Sequence, residues 1–114
     1  MGKKSEADRE QVFYGSANVF ADLGYPDAGE RQTKLRLAYA INRIVEQRKL
    51  TQSAAASALG VNQPKVSALL HYKLEGFSVE RLMTFLTALD RDIEILIKKK
   101  PRTQSSGRIS VVAA

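Results

Sequence analysis

The sequence predicts a mainly α-helical domain that is followed by a short β-strand or hairpin. Between residues 27 and 89, apolar residues recur three and four positions apart, which is the spacing of one buried helix face. After Asp90 the apolar period changes to two, which is typical of a half-buried strand. The chain has 114 residues and no cysteine, so we expect one small domain without disulfides or thiolate metal sites.

Two regions precede the first long helix. Residues 1–11 are charged and aperiodic, which predicts a mobile N-terminal arm. Residues 12–25 contain an apolar cluster that includes a possible short helix at 16–24. The first long helix is expected over residues 27–48, with Asp27 placed to cap its first turn. The apolar stripe of this helix consists of Leu37, Ile41, Ile44 and Val45.

Three shorter helices follow, and each begins at a residue whose side-chain oxygen can accept a hydrogen bond from the first helical turn. These capping residues are Thr51, Asn62 and Ser78. Gly60 can end the second helix, because glycine readily adopts the left-handed backbone that ends many helices. The three predicted helices cover residues 52–59, 62–72 and 78–89.

The C-terminal region has the alternating pattern expected of strands. A first strand is predicted at 93–97 and a second at 109–112, with a polar turn at 103–107. One hairpin is not stable alone in water, so it should lie on the helices or pair with a second copy of the chain. We expect a homodimer. The predicted organisation is therefore a helical domain over residues 12–90 and a dimerisation extension with a basic tail over residues 91–114.

The second and third predicted helices are joined by only Gly60 and Val61, and so short a link forces a sharp crossing, as in the helix-turn-helix unit. Ala56 is small at the position where the two helices must approach closely. Pro64 falls in the first turn of the third helix, where a missing N–H does no harm. This ordered pattern is a strong indication of the motif. The apolar residues that the two helices would share as a core are Ala55, Leu59, Val61, Val66 and Leu69.

The distribution of charge favours a polyanionic partner for this motif. The chain carries 18 Lys and Arg against 12 Asp and Glu, for a formal net charge of +6. Residues 1–30 carry −3, residues 31–76 carry +6 and residues 77–114 carry +3. No carboxylate occurs between Glu46 and Glu75. Each carboxylate near a phosphate would repel it, so this gap suits DNA, although a solvated basic face would have the same composition.

The outward side chains of the third helix are polar or small, which suits contact with base edges in the major groove. Gln63 can pair with adenine, and Lys65 can donate to guanine. Phosphates would be bound at the start of the second helix and by Lys73 with Arg48 or Lys49. Any of these side chains could instead be a solvated residue or only a helix cap. The candidate DNA-contacting residues are Thr51, Gln52, Asn62, Gln63, Lys65, Ser67, Ala68, His71 and Lys73.

Enzymatic and membrane functions are not expected. His71 is the only histidine, and no nucleophile–base pair or phosphate-binding loop accompanies it. Asp92 and Glu94 would lie on the solvated face of the predicted strand. No apolar run approaches the roughly 18 residues of a membrane span, and no signal peptide is visible, so a cytoplasmic location is expected. We expect no catalytic residue, metal or cofactor, and a protein-interaction module that keeps the motif as a scaffold is the alternative to DNA binding.

The segment TQSAAASALGVNQPKVSALL at residues 51–70 resembles the helix-turn-helix of the Cro/CI-like (XRE) family of repressors. Residues 16–30 and 76–98 resemble HigA-like antitoxins and their stand-alone relatives. The resemblance implies a lambda-repressor-like helical bundle and a DNA-binding dimer that represses its own operon, often beside a RelE-like toxin that it neutralises. Ala68 stands where many relatives carry a long polar or basic residue, and Tyr72 stands where the wider family often has glycine.

Overall fold

The computed structural model describes residues 28–113, and these contain four α-helices. The predicted N-terminal arm, the apolar cluster at 12–25 and the Asp27 cap lie outside the described residues. The four helices predicted within the described part are confirmed, and each lies within two residues of its predicted bounds. They are α1 (Ala28–Gln47), α2 (Gln52–Leu59), α3 (Gln63–Leu70) and α4 (Val79–Ala88).

The described residues fall into two compact units, of which Lys34–Ile93 is one, while residues 28–33 and 94–113 belong to the other. The core of the Lys34–Ile93 unit is built from all four helices and from the residues that join α3 to α4. The apolar stripe predicted for α1 is buried here, with each of its side chains at most 6% exposed. Burial of each large apolar side chain contributes about 1.5–3 kcal/mol. The largest fully buried side chains are Ile41, Val66, Leu69, Leu82 and Leu89.

Each of the four helices is followed, one or two positions after its last residue, by a residue in the left-handed backbone region. The φ angles are 55° at Lys49, 72° at Gly60, 60° at Tyr72 and 67° at Asp90. The N–H of the following residue then donates to the carbonyl five positions before it, over 2.8–3.1 Å, which is the pattern of the Schellman motif. Tyr72 therefore ends α3 in the left-handed conformation that glycine adopts most readily.

Arg48 connects the end of α1 to the end of α4. Its Nη2 donates to the Leu89 carbonyl over 2.8 Å and lies 3.5 Å from Oδ2 of Asp90. The hydrogen bond satisfies one of the carbonyls that have no partner inside α4. Arg48 was a candidate for phosphate binding, but in the structure its guanidinium is used within the fold.

The prediction of two C-terminal strands, at 93–97 and 109–112, is wrong, because no strand occurs anywhere within residues 28–113. Ile95, Leu96 and Ile97 are 76%, 73% and 91% exposed, and Ile109 is 73% exposed. A strand requires a neighbouring strand for its backbone N–H and C=O groups, and the described part of the chain provides none. The alternation of apolar residues indicates which side chains would share a face, but it cannot supply that neighbour.

None of the helices within residues 28–113 combines the length and the apolar character that crossing a membrane would require.

Candidate nucleic-acid interface

Helices α2 and α3 form the predicted helix-turn-helix. The turn between them depends on Gly60, whose φ of 72° and ψ of 32° are left-handed. A Cβ at Gly60 would meet no atom within 4 Å, so the backbone conformation and not a lack of space is the reason for glycine here. Ala55 and Ala56 are buried where the two helices pack, which lets α3 lie close across α2. The residues predicted to form this shared core therefore do so, except that Val61 is only half-buried.

Both helices of the motif have the side-chain caps that the sequence predicts. Oγ1 of Thr51 accepts a hydrogen bond from the Ala54 N–H over 3.0 Å. Oδ1 of Asn62 accepts one from the Lys65 N–H over 2.9 Å. The Thr51 hydroxyl and the Asn62 amide still carry N–H or O–H groups that can donate to an external acceptor. These caps fix the first turn of each helix, where contacts with DNA are expected.

One face of α3 is buried and the other is accessible. Val66 and Leu69 are buried, whereas Gln63 is exposed and Ser67 and Ala68 are half-buried. Nδ2 of Asn42 on α1 donates to the Leu69 carbonyl over 3.4 Å, near the end of α3. The core and this hydrogen bond therefore fix the orientation of α3 and leave its polar face accessible.

His71 is exposed and caps the C-terminal end of α3. Its Nδ1 lies 2.8 Å from the Ser67 carbonyl oxygen. A carbonyl oxygen can only accept, so this contact places a proton on Nδ1 and leaves Nε2 for an external partner. The imidazole of His71 is thus hydrogen-bonded to the main-chain carbonyl of Ser67, and both residues were predicted to contact DNA.

A groove with a volume of about 390 Å³ lies between α3 and the segment that follows it. It brings together four of the predicted contact residues, while Thr51 and Gln52 lie at the start of α2. The ammonium of Lys65 lies 5.1 Å from the ring centroid of Phe77, in a cation–π contact. The groove is lined by Asn62, Pro64, Lys65, Ala68, Lys73, Glu75, Gly76 and Phe77.

Sequence reasoning missed an exposed pair on α1. Nη1 of Arg43 donates to the Tyr39 hydroxyl oxygen over 3.2 Å, and the guanidinium carbon lies 5.8 Å from the Tyr39 ring centroid. The hydrogen bond to Tyr39 raises the pKa of Arg43 above its ordinary value. Because these residues are four positions apart on a helix, their spacing contained the signal for this pair.

The surroundings of the motif match a binding surface more closely than a catalytic site. The residues from α2 to Leu74 contain no carboxylate. Within residues 28–113, no group of three or more His, Cys, Asp or Glu side chains is arranged to hold a metal ion. The chemistry available is therefore hydrogen bonding and charge, with Lys65 and Lys73 positive and the exposed Glu75 negative at the groove.

Comparisons with known proteins agree with this geometry. Residues 19–98 match a family described as a helix-turn-helix domain. A solved structure of a protein named as an XRE-family transcriptional regulator has 70% sequence identity and a TM-score of 0.75, and the match covers 78% of this chain and 100% of that chain. No curated protein matches the sequence at a significant level. The chain therefore belongs to the XRE family of helix-turn-helix transcriptional regulators, a family of DNA-binding proteins.

Proposed function

We propose that this regulator is a sequence-specific repressor that binds an operator in double-stranded DNA as a homodimer, with α3 in the major groove. The observation that carries the proposal is the accessible face of α3, which is polar and free of carboxylates. A cap at its start and buried residues on its other face hold this helix in one orientation. A surface that is fixed before binding loses little conformational freedom when it meets a base pair.

The contacts divide into two kinds. Gln63 pairs with adenine, Lys65 donates to guanine and Ala68 contacts a thymine methyl, and these contacts read the sequence. The other predicted residues bind phosphates or orient the motif without selecting a base. They are Thr51, Gln52, Asn62, Ser67, His71 and Lys73.

The homodimer is supported by the apolar side chains exposed between residues 95 and 97. A second copy would provide the apolar cover that these side chains lack in the single chain. Residues 91–114 are accordingly proposed as the dimerisation extension and residues 12–90 as the DNA-binding domain. A dimer of helix-turn-helix units binds two half-sites about one helical turn, roughly 34 Å, apart.

An antitoxin role is supported by the resemblance of residues 16–30 and 76–98 to HigA-like antitoxins. In this role the protein represses its own operon and neutralises a RelE-like toxin encoded beside it. Co-expression with the neighbouring reading frame, followed by purification through a tag on the regulator, tests the pair. Recovery of a small basic partner whose toxicity is suppressed supports the antitoxin role, and an isolated gene identifies a stand-alone regulator.

The decisive experiment measures the affinity of the full chain for a duplex from upstream of its own gene and for a random duplex of equal length. We expect the first to bind more tightly by a factor of about 10³ or more. For both duplexes, log K should fall linearly with log salt concentration, because bound counterions are released from the DNA. Equal affinities for the two duplexes, or affinities that do not respond to salt, would contradict the repressor. Binding of protein partners alone would then favour the interaction module.

A further inference from the structure

We propose that the turn at residues 75–77 positions Lys65 for base recognition, with Phe77 holding its ammonium and Gly76 providing the space for it. This inference rests on the proposed function, because it concerns how one predicted base-contacting residue acquires its selectivity. Phe77 would be a positioning residue, since it is expected to touch no DNA itself.

Lys65 lies in the first turn of α3 and is half-buried. Its ammonium lies 5.1 Å from the ring centroid of Phe77. The Phe77 ring is itself fixed, because Phe77 is only 3% exposed and packs edge to face on Phe85, with centroids 5.8 Å apart and an interplanar angle of 75°. Because the ring is fixed by the core, the ammonium that contacts it is held at a fixed position relative to the core.

Gly76 borders the same ammonium on another side. A Cβ built at Gly76 would lie 3.4 Å from Nζ of Lys65, so any larger side chain would compete with the ammonium for this space. Gly76 is exposed and has no left-handed φ angle, so its backbone conformation does not require glycine. A methyl group at this distance would make an ordinary contact with the ammonium, whereas a β-branched side chain would reach beyond Cβ into the space that the ammonium occupies.

The ring holds the ammonium without neutralising it. Among residues 28–113, no carboxylate forms an ion pair with Lys65. An aromatic face attracts the cation but accepts no conventional hydrogen bond, so the N–H donors that point away from the ring are still available to a guanine. Glu75 lines the same groove but forms no ion pair with Lys65, whereas a carboxylate in the place of the ring would neutralise the ammonium.

Lys73 lines the same groove and provides a natural contrast, since it is exposed and no aromatic ring is in cation–π contact with it among the described residues. A lysine side chain loses much rotamer freedom when it is fixed in a contact. Lys65 has lost part of this freedom before DNA arrives, whereas Lys73 has not. Lys65 is therefore suited to a defined base contact and Lys73 to a diffuse phosphate contact.

Two variants remove the positioning and keep the lysine. Gly76→Val places methyl groups where the ammonium lies and leaves the core untouched, and Phe77→Leu removes the ring. Both should lower the ratio of operator affinity to random-duplex affinity by about two- to fivefold, the value of one cation–π contact. Lys73→Met, the matched control, should weaken binding to both duplexes by the same factor. If Phe77→Leu does not fold, Gly76→Val still gives the answer.

A second readout needs no DNA. The ε-methylene protons of Lys65 should be shifted upfield in the NMR spectrum of the free wild-type protein by the ring current of Phe77, and both variants should abolish the shift. An ordinary chemical shift in the wild type overturns the inference. So does an unchanged specificity ratio in variants that have lost the shift. An upfield shift in a protein without operator preference overturns the proposed function and the base-reading role of Lys65, and it leaves the ring contact itself established.

Discussion

The Lys34–Ile93 unit and residues 94–113 both contain regularly spaced apolar side chains, but only the first region buries them. The helices of the first region satisfy most of their backbone hydrogen bonds within four residues, so they need only apolar contacts with one another. Residues 95–97 are all large and apolar, yet their side chains are exposed. A regular spacing of apolar residues therefore produces secondary structure only where the chain also provides an element for those residues to pack against.

Under the proposed function, this difference separates two tasks. The first region folds by itself and presents α3 to DNA in one orientation. Residues 94–113 acquire their partner from a second copy of the chain, so their order depends on protein concentration. Four predictions test this division.

Leu82→Ala should lower the free energy of unfolding by about 2–5 kcal/mol, because it removes a fully buried side chain and leaves a cavity in the core. Ile97→Ala is the matched control in the other region, where the side chain is 91% exposed, and it should change the stability of the monomer by less than about 0.5 kcal/mol. Urea unfolding of dilute protein measures both. Similar losses in the two variants would contradict the contrast between the regions.

Ile95→Lys combined with Ile97→Lys should dissociate the dimer. Burying these two side chains against a second copy would contribute about 3 kcal/mol or more, and two charged side chains would oppose that burial. Sedimentation equilibrium should give twice the chain mass of 12.6 kDa for the wild type and the single mass for the variant. A wild type that stays monomeric when concentrated would remove the proposed role of residues 91–114.

Interactions between residues close in the sequence could be predicted, whereas those between residues far apart in the sequence could not. The caps at Thr51, Asn62 and Ser78 act within three residues of themselves, so they were predicted, and the structure confirms them. The contact between Lys65 and Phe77 joins residues twelve positions apart, and its geometry depends on the path of the intervening chain. Left-handed helix ends at Lys49, Tyr72 and Asp90 also escaped prediction, because the usual signal for such an end is glycine.

Gln63→Ala should reduce the affinity for the operator by about 1–3 kcal/mol and leave the affinity for a random duplex unchanged, because it removes a base contact and no charge. Replacement of Lys98, Lys99 and Lys100 by Gln tests the other region. If these lysines meet DNA, they meet only phosphate, so affinity for both duplexes should fall equally. Titrations at several salt concentrations measure the two effects. A loss of specificity in the lysine variant would show that sequence is also read outside the Lys34–Ile93 unit.

Substitutions at two helix ends that share the left-handed backbone conformation should have the smallest effects on stability. Gly60→Ala should lower the free energy of unfolding by about 1 kcal/mol, because a Cβ is strained at a φ of 72° although there is space for it. Lys49→Gly should raise it by about 0.5 kcal/mol, since relief of strain at a φ of 55° is offset in part by the greater freedom of glycine in the unfolded chain. Thermal or urea unfolding measures the pair. Changes of opposite sign in the free energy of unfolding would show that the fold, and not the residue at the position, sets these helix ends. If both variants are less stable than the wild type, the Lys49 side chain stabilises its own helix end.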